Sequence, residues 1–194
     1  MPTMSPFESV FCRSAPWRFL ARRILLPWAL QGVHPGGHVL EIGAGSGAMA
    51  TELLAAYPGI TMTATDVDPD MVASAERRLM PYAERSTARQ ADATALPFAD
   101  DAFDVVLAWI MLHHTIEWEK ALAEAVRVVR PGGHVVAYDL LSTAPMRALH
   151  QAEGARFRMM TFKELRDTVR ELPVAQAILT PSLGAFVVRF TLRK

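Results

Sequence analysis

Short runs of β-branched and apolar residues alternate with segments of helical periodicity from His38 onward. This alternation is typical of βαβ units and of a mainly parallel sheet. The predicted strands of this part of the chain are residues 38–42, 60–65, 87–91, 103–109 and 134–140. The pattern therefore predicts a three-layer α/β fold, with helices packed on both faces of the sheet.

Local signals mark the helices between these strands. Asp68 precedes Pro69 as an N-cap, and Thr161 and Glu164 have the spacing of a capping box. We expect Pro131 to end the helix before the fifth strand. The residues predicted to face the core from these helices are Met49, Leu53, Leu54 and Tyr57, then Val72, Ala75 and Leu79, then Trp118, Leu122, Ala125, Val126 and Val129, and last Leu165, Val169 and Leu172.

The end of the chain changes character. Residues 174–180 and 185–192 are two β-rich runs joined by only a few residues. A connection this short forces antiparallel pairing. The sequence thus predicts a seven-stranded, mostly parallel sheet that closes with a C-terminal antiparallel hairpin, all within a single domain of residues 1–194.

Composition and charge exclude several classes of protein. Twenty basic and 20 acidic residues give zero net charge, so no overall field attracts nucleic acid. Cys12 is the single cysteine, which excludes an internal disulfide and suits a reducing cytoplasm. The apolar run 24–30 is too short to span a membrane, and we expect neither export nor stable membrane association.

A glycine-rich turn follows the first predicted strand, in the string Val-Leu-Glu-Ile-Gly-Ala-Gly-Ser-Gly from Val39 to Gly47. Glycines allow a ligand to approach the backbone closely, and a helix N-terminus offers free N–H groups. Asp66 lies 21 residues beyond Gly45, at the predicted end of the second strand, where a carboxylate can accept ribose hydroxyls. These features also satisfy the dinucleotide-binding pattern. Alone, they therefore do not distinguish a dinucleotide from another cofactor that contains a nucleoside.

Four further features distinguish a dinucleotide site from a site for another nucleoside-containing cofactor. Glu41 stands two residues before Gly43, where a carboxylate would repel a pyrophosphate. Ala91-Asp92-Ala93 is followed by Leu96-Pro97-Phe98, Val128 begins the string Val-Val-Arg-Pro-Gly-Gly, and the chain closes with a hairpin. In these features the chain resembles the class I S-adenosylmethionine-dependent methyltransferases, especially the branch with the ubiquinone and menaquinone methyltransferases. The resemblance covers about residues 35–141, with the tail matching in pattern only.

The resemblance implies that S-adenosylmethionine is the cofactor and S-adenosylhomocysteine the product. It implies that Glu41 helps to hold the cationic methionine end and that Asp92 accepts a hydrogen bond from the adenine amino group. The cofactor-binding residues so predicted are Glu41, Gly43, Ala44, Gly45, Gly47, Asp66, Val67, Asp92, Ala93 and Ala108. The alternatives are a nicotinamide-dependent oxidoreductase and a non-catalytic module that binds S-adenosylmethionine.

Two motifs that are absent from the sequence reduce the range of possible methyl acceptors. The segment that begins Ala108-Trp109-Ile110-Met111 lacks the Asn/Asp-Pro-Pro-Tyr motif of enzymes that methylate nucleic acid bases, and it lacks an acidic pair for Mg²⁺. We therefore expect direct methyl transfer to a small, largely apolar molecule, without a metal ion and without nucleic acid as a partner.

Two histidines follow the fourth strand, at the edge of the sheet where ligands of open α/β folds bind. His113 or His114 could act as a general base or orient the acceptor, or both could only line the cofactor pocket. Asp139 ends the fifth strand at the same edge and could be a loop-capping carboxylate.

Two segments remain to cover the site. Residues 15–26 predict an amphipathic helix within an N-terminal helical cap of residues 1–34, and residues 143–160 form an insert. The inward face of that helix should carry Trp17, Leu20, Ala21 and Ile24. The alternative, a basic helix on a membrane surface, rests on only four arginines. The predicted acceptor wall consists of Trp17, Met146, Phe157, Met159 and Met160.

Overall fold

A seven-stranded sheet forms the centre of the fold in a computed structural model that describes residues 21–144, 147 and 157–194. The strands lie in the order β3-β2-β1-β4-β5-β7-β6. Their bounds are β1 Gly37–Ile42, β2 Ile60–Asp66, β3 Ser86–Gln90, β4 Phe103–Trp109, β5 Val129–Leu140, β6 Gln176–Ser182 and β7 Val187–Arg193. Six strands run in the same direction, and β7 runs opposite to them between β5 and β6. The predicted fold class, with its antiparallel hairpin, is confirmed.

Five α-helices pack on the two faces of this sheet in the described part of the chain. They are α1 Leu26–Leu30, α2 Ala48–Ala56, α3 Pro69–Leu79, α4 Trp118–Val128 and α5 Phe162–Glu171. Alternate residues of β4 divide between the two cores, because successive side chains of a strand point to opposite faces. Val106 packs with Trp118 of α4 and Leu165 of α5, whereas Leu107 packs with Leu53 of α2.

The capping signals in the sequence are confirmed. Asp68 accepts a hydrogen bond from the Asp70 backbone N–H at the start of α3. Thr161 and Glu164 form a complete capping box at the start of α5, with Thr161 Oγ1 accepting from Glu164 N at 3.1 Å. Satisfying these free N–H groups explains why both helices begin where the sequence predicts.

The helix near the N-terminus differs from its prediction. A π-helical turn covers Ala21–Leu25 and α1 continues to Leu30, four residues beyond the expected end. Pro27 lies in the first turn of α1, where its missing N–H removes no hydrogen bond. Ile24 was expected to face the core, but 58% of it is exposed, because the buried side of α1 is instead formed by Leu26, Ala29 and Leu30. Trp17 and Leu20 lie outside the described residues.

The glycines expected before the fifth strand lie inside it instead. The string from Pro131 to Gly133 was expected to end helix α4 ahead of the strand, but α4 ends at Val128 and β5 begins at Val129. The string instead forms an irregular segment inside β5, since the register with β4 jumps from Phe103↔Val129 to Val105↔His134. A Cβ on Gly133 would lie 2.5 Å from the Asp104 carbonyl oxygen, which explains the need for glycine there.

Candidate functional site

A cleft of about 290 Å³ opens at the carboxyl edge of β1, β2 and β4. This is the edge at which open α/β folds bind ligands. Its walls combine residues that follow each of these strands. The described lining residues are Ile42, Gly43, Asp66, Val67, Ala91, Asp92, Ala93, Ile110, Met111, His114 and Thr115. Five predicted cofactor residues, from Gly43 to Ala93, therefore lie together in one cleft.

The glycine turn after β1 brings the backbone close to this cleft. Gly43, Gly45 and Gly47 all have positive φ, a conformation that residues with a side chain rarely adopt. A Cβ on Gly43 would lie 2.6 Å from Met111 Cβ, so this glycine allows β4 and its following loop to pack against the turn. A Cβ on Gly45 would meet nothing within 4 Å. The Cα of Gly45 thus faces open space that a ligand can fill.

Asp66 links the turn to the end of β2. Its Oδ2 accepts a hydrogen bond from Gly45 N at 2.8 Å, and its Oδ1 accepts one from Asp68 N at 3.0 Å. A carboxylate has about four lone-pair positions, so each oxygen can still accept from a hydroxyl. The two backbone bonds fix the orientation of the carboxylate beside the glycine turn.

Glu41 is a buried carboxyl group in β1, two residues before the glycine turn, and it is not among the described lining residues of the cleft. Only 2% of it is exposed, and Oε2 has no hydrogen-bond partner in the described part of the chain. Burial, with a smaller contribution from the Asp66 carboxylate, raises the pKa of Glu41 from its ordinary 4.5 to about 8. Burial also raises the pKa of the Tyr138 hydroxyl, to which the Glu41 charge contributes. A carboxylate in this condition would be stabilised by a cationic group, so the residues present fit a ligand with a cationic end.

Asp92 is exposed at the far side of the cleft, after β3. Its Oδ1 accepts hydrogen bonds from both the backbone N–H and the hydroxyl of Thr94, each at 2.8 Å. These bonds hold the turn and engage one oxygen only. The second oxygen can accept from an amino group such as that of adenine.

The two histidines lie in different environments. His113 is 1% exposed, and its Nδ1 lies 2.6 Å from Asp139 Oδ1. Asp139 also accepts hydrogen bonds from Leu112 N and Leu140 N, at 2.7 and 2.6 Å. The carboxylate thus caps the loop after β4, as the sequence allowed, and in addition orients the His113 ring. His114 is exposed and lines the cleft, with its ring centroid 3.9 Å from that of His113.

The remaining predicted residues have other positions. Ala44, Gly45 and Gly47 belong to the turn beside the cleft, and Ala108 is buried in the core on the α4 face. Met160 was expected in the acceptor wall, but it is completely buried in that same core because its backbone pairs with Leu141 across a β-bridge. Met159 is also buried. Met146 lies outside the described residues.

Sequence reasoning missed five residues of the described cleft wall, of which Ile42 ends β1, Ala91 follows β3 and the other three lie in the loop after β4. Ile110, Met111 and Thr115 follow β4 and line the cleft between the glycine turn and His114. Ile110 has φ of 49°, which is rare for a β-branched residue. Their position directly after a predicted strand was the available signal, but nothing in their side chains suggests ligand binding.

Within residues 21–144, 147 and 157–194, no group of three or more potential ligand side chains could hold a metal ion. In the same part of the chain, no helix is long and apolar enough to cross a membrane.

Comparison with known proteins identifies the family. Residues 40–137 match a family model described as a methyltransferase domain, which covers half of the chain. The chain is similar to a demethylmenaquinone methyltransferase of Mycolicibacterium paratuberculosis, with 31% identity over 88% of this chain and 67% of the relative. It spans between 38 and 67% of the length of this and similar curated relatives.

Solved structures agree on the fold. A possible histamine N-methyltransferase of Thermotoga maritima, described as SAM-dependent, has a TM-score of 0.66 at 21% identity, and the match covers 97% of this chain and 98% of that one. A Haemonchus contortus N-methyltransferase in complex with S-adenosylhomocysteine has a TM-score of 0.76 at 16% identity, over 99% of this chain and 59% of that one. The chain belongs to the methyltransferase family, and the resemblance inferred from its motifs is confirmed. Methyl transfer is the activity class of this domain.

Proposed function

We propose that this methyltransferase transfers a methyl group from S-adenosylmethionine to a small, largely apolar acceptor by direct displacement and without a metal ion. One observation carries the proposal: a single cleft at the carboxyl edge of the sheet is lined by Gly43, Asp66, Asp92 and His114. When bound, S-adenosylmethionine supplies an electrophilic methyl group on a sulfonium. The chain has to bind this cofactor, exclude water and align the acceptor.

The binding roles follow from the contacts of each residue. Asp66, held by two backbone N–H groups, accepts hydrogen bonds from the ribose hydroxyls, while Asp92 accepts one from the adenine amino group. Glu41 compensates the cationic methionine end with its buried carboxylate. The open Cα face of Gly45 leaves room for the cofactor beside the turn. Val67, which is 46% exposed, forms part of the wall next to Asp66.

The acceptor side is built from the loop after β4. His114 orients the acceptor, because it is the histidine that lines the cleft and is exposed to it. His113 supports this arrangement from the buried side, where Asp139 fixes its ring. Alignment of two reactants can supply roughly 7 to 11 kcal/mol, so positioning is sufficient for an acceptor that has no proton to lose.

Several features favour a small apolar acceptor over a macromolecule. Ile110 and Ile116 expose apolar surface on the loop after β4 at 43 and 50%. Phe157 of the insert is half-buried and precedes Arg158, whose backbone N–H donates to the His113 carbonyl of that loop at 2.9 Å. The chain carries no net charge with which to attract a nucleic acid backbone. Pockets for small ligands are mostly apolar, with a few placed polar groups. We also infer a cytoplasmic location, because the single cysteine, Cys12, suits a reducing compartment.

The test is a turnover assay with labelled S-adenosylmethionine on a metabolite library, on bulk RNA and on protein, each with and without EDTA. We expect methylation of small apolar acceptors that EDTA does not reduce, and weaker labelling by the Asp66→Ala variant at subsaturating S-adenosylmethionine. Labelling confined to RNA or protein, or activity lost with EDTA and restored by Mg²⁺, would refute the proposal.

The role of His114 needs its own measurement. His114→Ala should lower kcat/KM for the acceptor at least about tenfold while the Kd of S-adenosylhomocysteine changes less than about twofold. His114→Gln, which keeps a polar group at the site, should recover part of the loss. A large change in cofactor Kd with an unchanged acceptor kcat/KM would assign His114 to the cofactor instead.

A further inference from the structure

One face of the sheet carries buried polar and aromatic side chains near its carboxyl edge, on the side that α1 and α2 cover. Trp109 ends β4, Tyr138 is near the end of β5, and both belong to the core on this face. Glu41 of β1 points to the same face, because its neighbours Leu40 and Ile42 pack in the core on the other one. The three side chains therefore share one face at the edge where the cofactor cleft opens.

Strand pairing and ring contacts position the Tyr138 side chain. β4 lies between β1 and β5, with Glu41 opposite Leu107 and Trp109 opposite Tyr138. The Trp109 and Tyr138 rings are tilted by 30° with centroids 5.2 Å apart, and Trp28 of α1 meets the Tyr138 ring edge-on, also at 5.2 Å. Aromatic contacts on two sides fix the ring and thus the place of its hydroxyl.

Two polar groups on this face have no partner in the described part of the chain. Glu41 Oε2 is buried without a hydrogen bond. Tyr138 is 6% exposed, and its hydroxyl makes no hydrogen bond with any described residue, although it is not fully enclosed. Buried polar groups are normally hydrogen-bonded, and an unmatched one has an energetic cost. The pair therefore indicates a place for a polar ligand group.

The Glu41 carboxylate lies close enough to Tyr138 for its charge to act there. Burial raises the pKa of the Tyr138 hydroxyl, and the Glu41 and Asp139 carboxylates raise it further. Even so, no hydrogen bond joins Glu41 to Tyr138. A ligand group with several donors can bridge two such oxygens, and an ammonium has three N–H donors.

We propose that Tyr138 is a further cofactor-binding residue, whose hydroxyl oxygen and the Glu41 carboxylate together accept hydrogen bonds from the ammonium of the amino-acid end of S-adenosylmethionine. A tyrosine hydroxyl can accept as well as donate, and aromatic rings beside it add a favourable contact with a cation. The inference rests on the proposed cofactor, and it gives the cationic end two acceptors on adjacent parts of one face.

Titration calorimetry with two ligands tests this role. S-adenosylhomocysteine carries the amino-acid end, whereas 5′-methylthioadenosine has the same adenosine and a thioether without it. In Tyr138→Phe, which keeps the ring, we expect affinity for S-adenosylhomocysteine to fall about fivefold or more and affinity for 5′-methylthioadenosine to stay within about twofold. Tyr82→Phe is the matched control, because Tyr82 follows α3 and is not among the described lining residues of the cleft. It should leave both affinities unchanged.

A double variant separates direct contact from repacking. Glu41→Gln and Tyr138→Phe act on one ammonium in this proposal, so their effects on S-adenosylhomocysteine affinity should not add. Binding of 5′-methylthioadenosine serves as the folding check in each variant.

Three results would overturn the role of Tyr138 alone: unchanged S-adenosylhomocysteine affinity in Tyr138→Phe, an equal loss for both ligands, or additive losses in the double variant. If the natural chain binds neither ligand, the proposed cofactor is refuted and this inference with it.

Discussion

Replacing Glu41 by glutamine separates the charge of this residue from its shape. The side chain is buried, its Oε2 has no partner among the described residues, and its pKa is raised to about 8. Glutamine keeps nearly the same volume but cannot ionise. The substitution should therefore stabilise the ligand-free protein at alkaline pH and weaken binding of the cationic cofactor.

The sign of the pH effect follows from linkage. The folded state binds the Glu41 proton more tightly than the unfolded state, so the contribution of this group to stability is complete below pH 4.5 and is lost as the pH rises towards 8. A rise in pKa from 4.5 to about 8 corresponds to a loss of roughly 5 kcal/mol, an upper bound at 1.36 kcal/mol for each pH unit. This fall should be absent in Glu41→Gln. Denaturant unfolding of both ligand-free proteins at pH 5, 7 and 9 measures it.

Cofactor binding should release the same proton. At pH 7 a group with a pKa of about 8 is about nine-tenths protonated, and a bound cation favours its ionised form. Calorimetric titration with S-adenosylmethionine in Tris and in MOPS should then give heats that differ by nearly the full difference between the ionisation enthalpies of the two buffers. Glu41→Gln should lose this difference, whereas any proton exchanged by the cofactor's own amino group is common to both proteins. A heat that does not depend on the buffer in the natural chain would refute the reasoning.

Four further substitutions test other features of the site and the fold. Asp66→Ala should weaken cofactor binding by at least about tenfold, because hydrogen bonds to a charged group contribute about 1.5 to 3 kcal/mol; an unchanged Kd in a folded variant would contradict this. Gly45→Ala should cost only about 1 kcal/mol of stability but reduce cofactor affinity, since its new methyl group enters open space, whereas Gly43→Ala should cost more because its Cβ would clash with Met111. Denaturant unfolding and calorimetry of both variants check this order. Thr161→Ala removes the capping box and should cost about 1 kcal/mol in denaturant unfolding while leaving the cofactor Kd unchanged.

The elements that the sequence predicts well are those with a local cause. Thr161 and Glu164 determine where α5 begins, and buried strands such as β4 have near-continuous apolar runs. The errors occur where distant contacts decide. The register jump inside β5 depends on how Gly133 packs against the Asp104 backbone, and the exposure of Ile24 depends on which side of α1 reaches the sheet. Neither contact leaves a periodic signal in the chain.

The same distinction applies to the candidate site. The glycine turn and Asp66 could be predicted together, because their spacing places them at the ends of adjacent strands. His113 and His114 are neighbours in the sequence, yet one is buried against Asp139 and the other lines the cleft. Both lie in a short 3₁₀ turn over Leu112–His114, whose geometry depends on Asp139 accepting a hydrogen bond from Leu112 N. No pattern within the loop itself could have assigned their roles.

The cleft wall at Ile110 shows how such a geometry is maintained. A β-branched residue in the left-handed region costs of order 1 to 3 kcal/mol and persists only when its surroundings hold it. Here Ile110 N donates to the Tyr138 carbonyl at 2.9 Å, and the next residue, Met111, lies in space that a side chain on Gly43 would occupy. The backbone is thus fixed by β5 on one side and by the glycine turn on the other. It follows that Gly43 supports the cleft in two ways, by its own conformation and by allowing the strained turn after β4 to close against it.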